Sequence, residues 1–251
     1  MKVLGICASA RKNGNTAIMM RKVFEALEKE GIETELVQFS GTVIEPCKAC
    51  WACAGRGNCV HKNDCFREVF EKMKEADGVL LGSPSYSANV SANMQAFLER
   101  AAVVCDLNPG LVKHKVGAAV AAARRAGPLQ AIDTMNHFFL NHEMVVAGST
   151  YWNMAYGRLP GEVEKDKEGM ANMQNLGENM AFLLKAIEKA KENNRDTKKG
   201  CTWDFPLYIL FIFRRKNRFI SPSFLLILEM LVHDPCKSFD LGQILIIRMP
   251  R

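Results

Sequence analysis

Four cysteines fall within thirteen residues, as Cys47-Lys-Ala-Cys50-Trp-Ala-Cys53-Ala-Gly-Arg-Gly-Asn-Cys59. Two residues between successive thiols let a turning backbone aim them at one point. Structural zinc usually draws on two separated C-x2-C knuckles around a tetrahedral ion. A consecutive C-x2-C-x2-C run is instead an iron–sulfur spacing, each thiolate holding a different iron. Gly55 and Gly57 free the backbone to loop back, so that Cys59 can serve as fourth ligand. The leading reading is a [4Fe–4S] cluster on Cys47, Cys50, Cys53 and Cys59; a zinc site and redox-active or merely free thiols stand beside it. Cys65, six residues further on, reads as a structural residue at the start of a helix.

A second stretch, Ser9-Ala-Arg-Lys-Asn-Gly-Asn-Thr16, joins an apolar run to a helical stripe. The free N–H groups and positive dipole end of that helix form an anion site. Ser9, Asn15 and Thr16 can add side-chain donors and Arg11 a charge. The stretch is neither G-x-x-x-x-G-K-[ST] nor G-x-G-x-x-G, which argues against a nucleoside triphosphate and against NAD as resident ligand. The phosphate of FMN fits; so does an ordinary strand–helix turn capped by Asn15 or Thr16. Pro84-Ser85-Tyr86-Ser87-Ala-Asn89 opens another strand into a polar loop, the place where open α/β sheets bind ligands. Tyr86 can cover a flat ring. Arg124 and Arg125 follow the fourth strand and suit a flavin edge or a phosphate, or else a solvated helix start. The histidines form no metal pair, since His137 and His142 are five apart and His61 and His114 stand alone. Neither H-E-x-x-H nor G-x-S-x-G occurs.

The elements that would position these groups alternate strand and helix. Residues 2–8, 78–83, 116–123 and 144–149 are near-continuous apolar runs, the pattern of strands buried on both faces of a parallel sheet. Residues 33–39 alternate and read as an edge strand. Helical spacing places Met19, Val23, Phe24 and Leu27 on one stripe, Val69, Phe70 and Met73 on a second, and Met94, Phe97, Leu98, Ala101 and Cys105 on a third. Another helix runs to about residue 139, and one from about 168 to 191 carries Met173, Leu176, Met180, Leu183, Leu184 and Ile187. Cys7 and Cys105 are core by position. The sum is an α/β, doubly wound, five-stranded parallel sheet of order 2-1-3-4-5. The long loop 150–167, with Trp152 and Tyr156, is expected to wall or lid the ligand site.

The chain's 251 residues, 48% hydrophobic and 24% charged with net charge +6, allow one large domain plus an appendage. No basic stripe with interleaved aromatics points to nucleic acid. The N-terminus runs straight into the first strand with no signal-peptide pattern, so a reducing cytoplasm is expected, where clustered cysteines mean metal or catalysis. The expected domain is 1–192, with a linker and tail at 193–251. In the tail, residues 207–213 are all apolar, Arg214-Arg215-Lys216-Asn217-Arg218 is basic, and residues 224–232 are apolar except Glu229. Neither run approaches the roughly 20 residues that span a bilayer. A membrane surface, a subunit contact or an extension outside any evolved fold would each suit it.

Residues 1 to about 192 resemble the iron–sulfur flavoproteins of anaerobic archaea and bacteria, within the NADPH-dependent FMN reductase branch of flavodoxin-like proteins. The resemblance rests on the first loop, the compact cysteine set, Gly82-Ser-Pro-Ser-Tyr-Ser87 and Arg124-Arg125. Ala10 stands where relatives commonly have Pro. The resemblance implies FMN at the ends of the first and third strands. Ser9, Arg11, Asn13, Asn15 and Thr16 would hold the phosphate, and Pro84, Ser85, Tyr86, Ser87 and Asn89 the ring and ribityl chain. It also implies a homo-oligomer, dimer or tetramer, in which cluster and flavin exchange electrons between ferredoxin or NAD(P)H and a small-molecule acceptor. Two other readings are an NAD(P)H-dependent FMN or quinone reductase without a cluster, and a non-catalytic flavin-binding redox sensor. The cysteine loop leaves the second strand at the edge that carries both flavin loops, so a cluster close to FMN is expected, within one subunit or across an oligomer contact.

Overall fold

The computed structural model describes residues 1–193. In chain order the elements are β1 (Lys2–Cys7), α1 (Asn15–Lys29), β2 (Glu33–Gln38), α2 (Phe66–Glu75), β3 (Gly78–Pro84), α3 (Ala92–Asp106), β4 (Val116–Ala123), α4 (Pro128–Asn141), β5 (Val145–Val146), β6 (Met154–Tyr156), a 3-10 turn (Glu162–Lys165) and α5 (Lys167–Asn193). The strands pair in parallel in the order β2-β1-β3-β4-β5, as the alternation of apolar runs and helical stripes requires.

Side chains of the central strands point alternately to two cores. Leu4, Ile6, Val79, Leu81, Ala119 and Ala121 face the side covered by α2, α3 and α4. Val3, Cys7, Leu80, Val116, Ala118 and Val120 face the side covered by α1 and α5. Glycine in two strands lets bulky helix residues reach the sheet. A Cβ on Gly117 would lie 2.7 Å from the Phe139 ring, and one on Gly82 2.3 Å from Met20 Sδ. Cys7 and Cys105 are core thiols; burial pushes them up to about 11 and about 12 respectively.

The fifth strand differs from the expected single run at 144–149. It is split: Val145–Val146 pairs with Val116 and Gly117, the chain leaves at 147–153, and Met154–Tyr156 returns to pair with Ala121–Ala123. Asn172 of α5 holds the excursion, accepting from Thr150 Oγ1 (2.9 Å) and Tyr151 N (3.1 Å) and donating to Trp152 O (2.7 Å). The stretch expected as one long loop therefore contains a strand and a 3-10 turn. The tail's apolar runs and Cys201 and Cys236 lie outside the described residues. Among the described residues no helix is long and apolar enough to cross a membrane.

Candidate functional site

Two sites can be built from this scaffold. The first is at the C-terminal ends of β1, β3, β4 and β6. Gly14 is the N-cap of α1, and among the described residues no side chain caps that helix. Its first-turn N–H groups are thus left for a ligand, with the dipole's positive end behind them. A Cβ on Gly14 would sit 3.0 Å from Arg11 Cβ and 3.5 Å from Ser9 Oγ, so the loop wraps closely round a bare backbone. Ser9 is buried, its hydroxyl accepting from Arg11 N (3.2 Å), while Arg11 and Asn13 are exposed, with Asn13 at φ 53°. Thr16 is buried, its methyl toward Gly82.

Asn15 has other partners. Its Oδ1 accepts from Gly161 N (2.9 Å) and its Nδ2 donates to Leu159 O (2.9 Å), tying the 158–163 segment to the start of α1. Arg11 Nη1 donates to Arg158 O (2.9 Å) in the same segment. Glu162 accepts from Leu159 N and Arg158 N, both 2.9 Å, and these donors hold its carboxyl below the usual range. Arg158, 147 positions from the Arg11 it meets, and Glu162, which orders the same segment, were not legible as site residues.

After β3 the chain makes a two-residue hairpin. Tyr86 and Asn89 exchange backbone bonds (2.8 and 3.0 Å), with Ser87 and Ala88 at φ 48° and 60°. That is a type I′ geometry, usually given to Asn-Gly, and two side-chain-bearing residues there mark a loop fixed by its surroundings. The Asn89 side chain is engaged by Val90 N and Thr134 Oγ1, both 2.8 Å. Gly127, at φ 90°, has no room for a Cβ, which would meet Ala88 Cα at 2.6 Å and Ser85 Oγ at 2.7 Å. Pro84 is buried, Ser85 half-buried, and Tyr86, Ser87 and Arg124 exposed. Exposed Tyr86 and Tyr156 follow β3 and end β6, at the C-terminal edge of the sheet, while exposed Tyr151 and Trp152 lie in the excursion before β6. An uncapped helix start and flat aromatic walls at such an edge fit a phosphorylated planar ligand such as FMN.

The second site is the cysteine loop. Cys47, Cys50, Cys53 and Cys59 line one small cavity with Trp51, His61 and, from α3, Arg100, Val103 and Val104. Left-handed Ala49 (φ 49°) and Trp51 (φ 57°) flank Cys50 and turn the backbone about it. Four residues in or after α3 hold the loop. Asn93 bonds Ile44 N and Thr42 O, Glu99 accepts from Cys47 N (3.1 Å), and Arg100 Nη2 donates to Cys59 Sγ (3.4 Å). Asn108 accepts from Gly57 N (2.9 Å) and donates to Cys53 O (3.0 Å). Cys53 is buried, and burial, with the neighbouring cysteines adding like charge, pushes its thiol above the ordinary value. A thiolate there needs a cation beside it, which a metal would supply. Among the described residues no three His, Cys, Asp or Glu side chains converge as on a single ion. The donor set is therefore the four thiols lining one cavity, whose C-x2-C-x2-C spacing suits a cluster. Cys65 is the N-cap of α2 and does not line the cavity.

His61 joins the cysteines, its Nε2 3.5 Å from Cys50 Sγ. The loop does leave at the flavin edge, but its cysteines are carried down α3. Arg100 to Val104 are nine to thirteen residues beyond the N-cap Ser91, which is roughly 14–20 Å along the helix axis.

Residues 1–158 match the family model described as NADPH-dependent FMN reductase. An iron–sulfur flavoprotein of Methanocaldococcus jannaschii is 38% identical over 197 residues, covering 75% of this chain and 100% of the relative. One from Methanosarcina thermophila is 33% identical, covering 78% of this chain and 100% of that protein. Among solved structures, RosB with a bound 8-demethyl-8-formylriboflavin-5'-phosphate intermediate has TM-score 0.60 at 18% identity, over 88% of this chain and 97% of RosB. A WrbA-like flavodoxin of Agrobacterium tumefaciens has TM-score 0.51 at 14% identity, over 74% and 98%. At such identities the likeness concerns the fold, which is flavodoxin-like.

Proposed function

The chain belongs to the iron–sulfur flavoproteins of the NADPH-dependent FMN reductase family, and on that premise we propose that it is an oxidoreductase carrying both FMN and a [4Fe–4S] cluster. FMN would be held at the strand ends: the first turn of α1 with Ser9, Arg11 and Asn13 would hold its phosphate, and the hairpin 85–89 with Tyr86, together with Arg124, its ring. Cys47, Cys50, Cys53 and Cys59 hold the cluster. When bound, FMN supplies one- or two-electron chemistry and the cluster one-electron chemistry, so together they couple a one-electron donor such as ferredoxin, or NAD(P)H, to an acceptor. The chain's own residues bind, orient and exclude water. Thr16, Asn15 and Gly127 shape the flavin loops, and Asn93, Glu99, Arg100 and Asn108 fix the thiols. No side-chain general base is assigned.

The observation that carries the reading is that the four spaced cysteines line a single cavity braced by α3. The distance of that cavity down α3 from the flavin edge favours electron passage across a contact between copies of the chain, in a homo-oligomer. Free thiols throughout the described residues agree with a reducing cytoplasm. The cofactor-binding unit is 1–192, with 193–251 dispensable to it. The test is anaerobic purification followed by absorption spectroscopy and iron, sulfide and flavin assays, then turnover with reduced ferredoxin and with NAD(P)H. Flavin without iron or sulfide would leave a simple reductase.

A further inference from the structure

Asp64 and Arg100 form the only ion pair among the described residues in which both side chains are buried, 4% and 3% exposed. Removing two charges from water costs several kcal/mol per ion before any return, so such a pair rarely serves stability alone. Its contacts join the cysteine loop to the start of α2. Arg100 Nη1 donates to Asp64 Oδ2 and to Glu45 O (3.2 Å), and Nη2 donates to Cys59 Sγ (3.4 Å). The guanidinium lies 4.2 Å from the centre of the Phe66 ring, which keeps water from that face. Asp64 accepts from Glu45 N (2.8 Å) and from Phe66 N (3.2 Å), so its carboxylate is fixed at the start of α2. The order in space is thiol, cation, carboxylate.

We propose that Arg100 is a positioning residue that raises the electron affinity of the cluster held by Cys59, and that Asp64 is its counterweight. The inference rests on the cluster reading above. Accepting one electron adds one negative charge to the metal site. A fixed cation in contact with a ligand sulfur favours that charge, and a carboxylate behind the cation opposes it. Burial limits screening by solvent and salt, so the two effects reach the iron. Hydrogen bonding to a thiolate acts in the same direction as the cation.

The arrangement makes the two partners' removal act with opposite sign. In full-length protein purified anaerobically, the cluster's midpoint potential is read by redox titration of its EPR signal, and the flavin's by absorbance. Asp64→Asn keeps an oxygen for the backbone donors and removes the opposing charge, so the cluster potential shifts positive. Arg100→Gln keeps a short N–H donor and loses the charge, so it shifts negative. The flavin potential and flavin content stay at the wild-type value in both. Should Arg100→Gln fail to retain iron, Arg100→Lys, which keeps the charge, is expected to stay closer to wild type than Asp64→Asn. A purely structural brace would move both variants the same way or neither, and either result overturns the proposal. Wild-type protein without iron overturns the cluster reading and this inference together, whereas iron-loaded variants with unshifted potentials overturn this inference alone.

Discussion

The flavin edge and the cysteine loop lie on one scaffold and solve opposite problems. At the flavin edge the polar work is done by backbone: an uncapped helix start, a bare Gly14 and a hairpin fixed in a rare geometry. Its charged side chains, Arg11 and Arg124, are exposed. At the cysteine loop the backbone is held by long-range side chains from α3, and a charge pair is buried behind the thiols. A ligand that arrives as a whole anion needs only donors left unpaired and space beside them. A metal cluster needs several soft anions kept at fixed separations against their own repulsion, which takes bracing and a buried cation. The difference teaches that the flavin edge draws on strand ends and a helix start that the fold itself provides, whereas the cysteine loop draws on side chains in or just after α3.

The largest expected effect breaks the comparison on one side. Replacing Cys47, Cys50, Cys53 or Cys59 by Ala should take iron and sulfide to background while flavin content stays at wild-type level, because the thiols touch none of the flavin loops. Cys65→Ala should leave both unchanged, since Cys65 only begins α2. Iron analysis of the five variants decides it; loss of iron in Cys65→Ala with retention in Cys59→Ala would reverse the ligand assignment.

What was legible in the sequence follows the same division. The sheet order could be read because residues 2–8, 78–83 and 116–123 are apolar without interruption, and only doubly covered strands permit that. The phosphate loop and cysteine set could be read because each is contiguous. Arg100, Asn108 and Asp64 could not. Arg100 falls beside a stripe of α3 that reads as plain core, and its meaning depends on a loop forty residues earlier. A charged residue within an otherwise apolar helix face was the available signal. β6 was hidden because three residues carry no measurable period, and the bond from Gly161 to Asn15 was hidden because it crosses 146 residues.

The reverse cut is at Gly127. Its φ of 90° costs a side-chain-bearing residue about 1–3 kcal/mol, and a side chain would collide with Ala88 and Ser85. Gly127→Val should push the hairpin 85–89 out of place, with flavin lost during gel filtration and iron per chain unchanged. Iron loss of equal extent would mean that the hairpin and the cysteine loop fold as one unit.

A smaller pair of substitutions sharpens the contrast. Asn108→Ala strips partners from Gly57 N and Cys53 O, and leaving such groups unpaired costs about 1–3 kcal/mol. Iron should then pass to a chelator on the order of tenfold faster, with FMN affinity unchanged. Asn15→Ala frees the 158–163 segment instead. It should weaken FMN binding by on the order of tenfold and leave the chelation rate alone. Chelation kinetics and flavin titration on both proteins give four numbers, and any large off-diagonal effect would show that the two sites are coupled through β1 and α3.

The smallest effect concerns Glu162, which holds the same segment from the other end by accepting from Leu159 N and Arg158 N. Those donors favour the charged carboxylate, so its folded value lies below the ordinary one. A group depressed on folding contributes stability above its unfolded pKa and loses it as pH falls through the folded value. Because the side chain is exposed, solvent weakens the contribution. In flavin-free protein, Glu162→Gln should therefore melt slightly below wild type at neutral pH, and the gap should close as the pH drops through and beneath the usual carboxylate range. The absence of a gap at every pH would mean that the oxygen's hydrogen bonds, which the amide keeps, and not its charge, hold the segment against α1. The flavin edge would then draw on this side chain as an acceptor alone, without help from its charge.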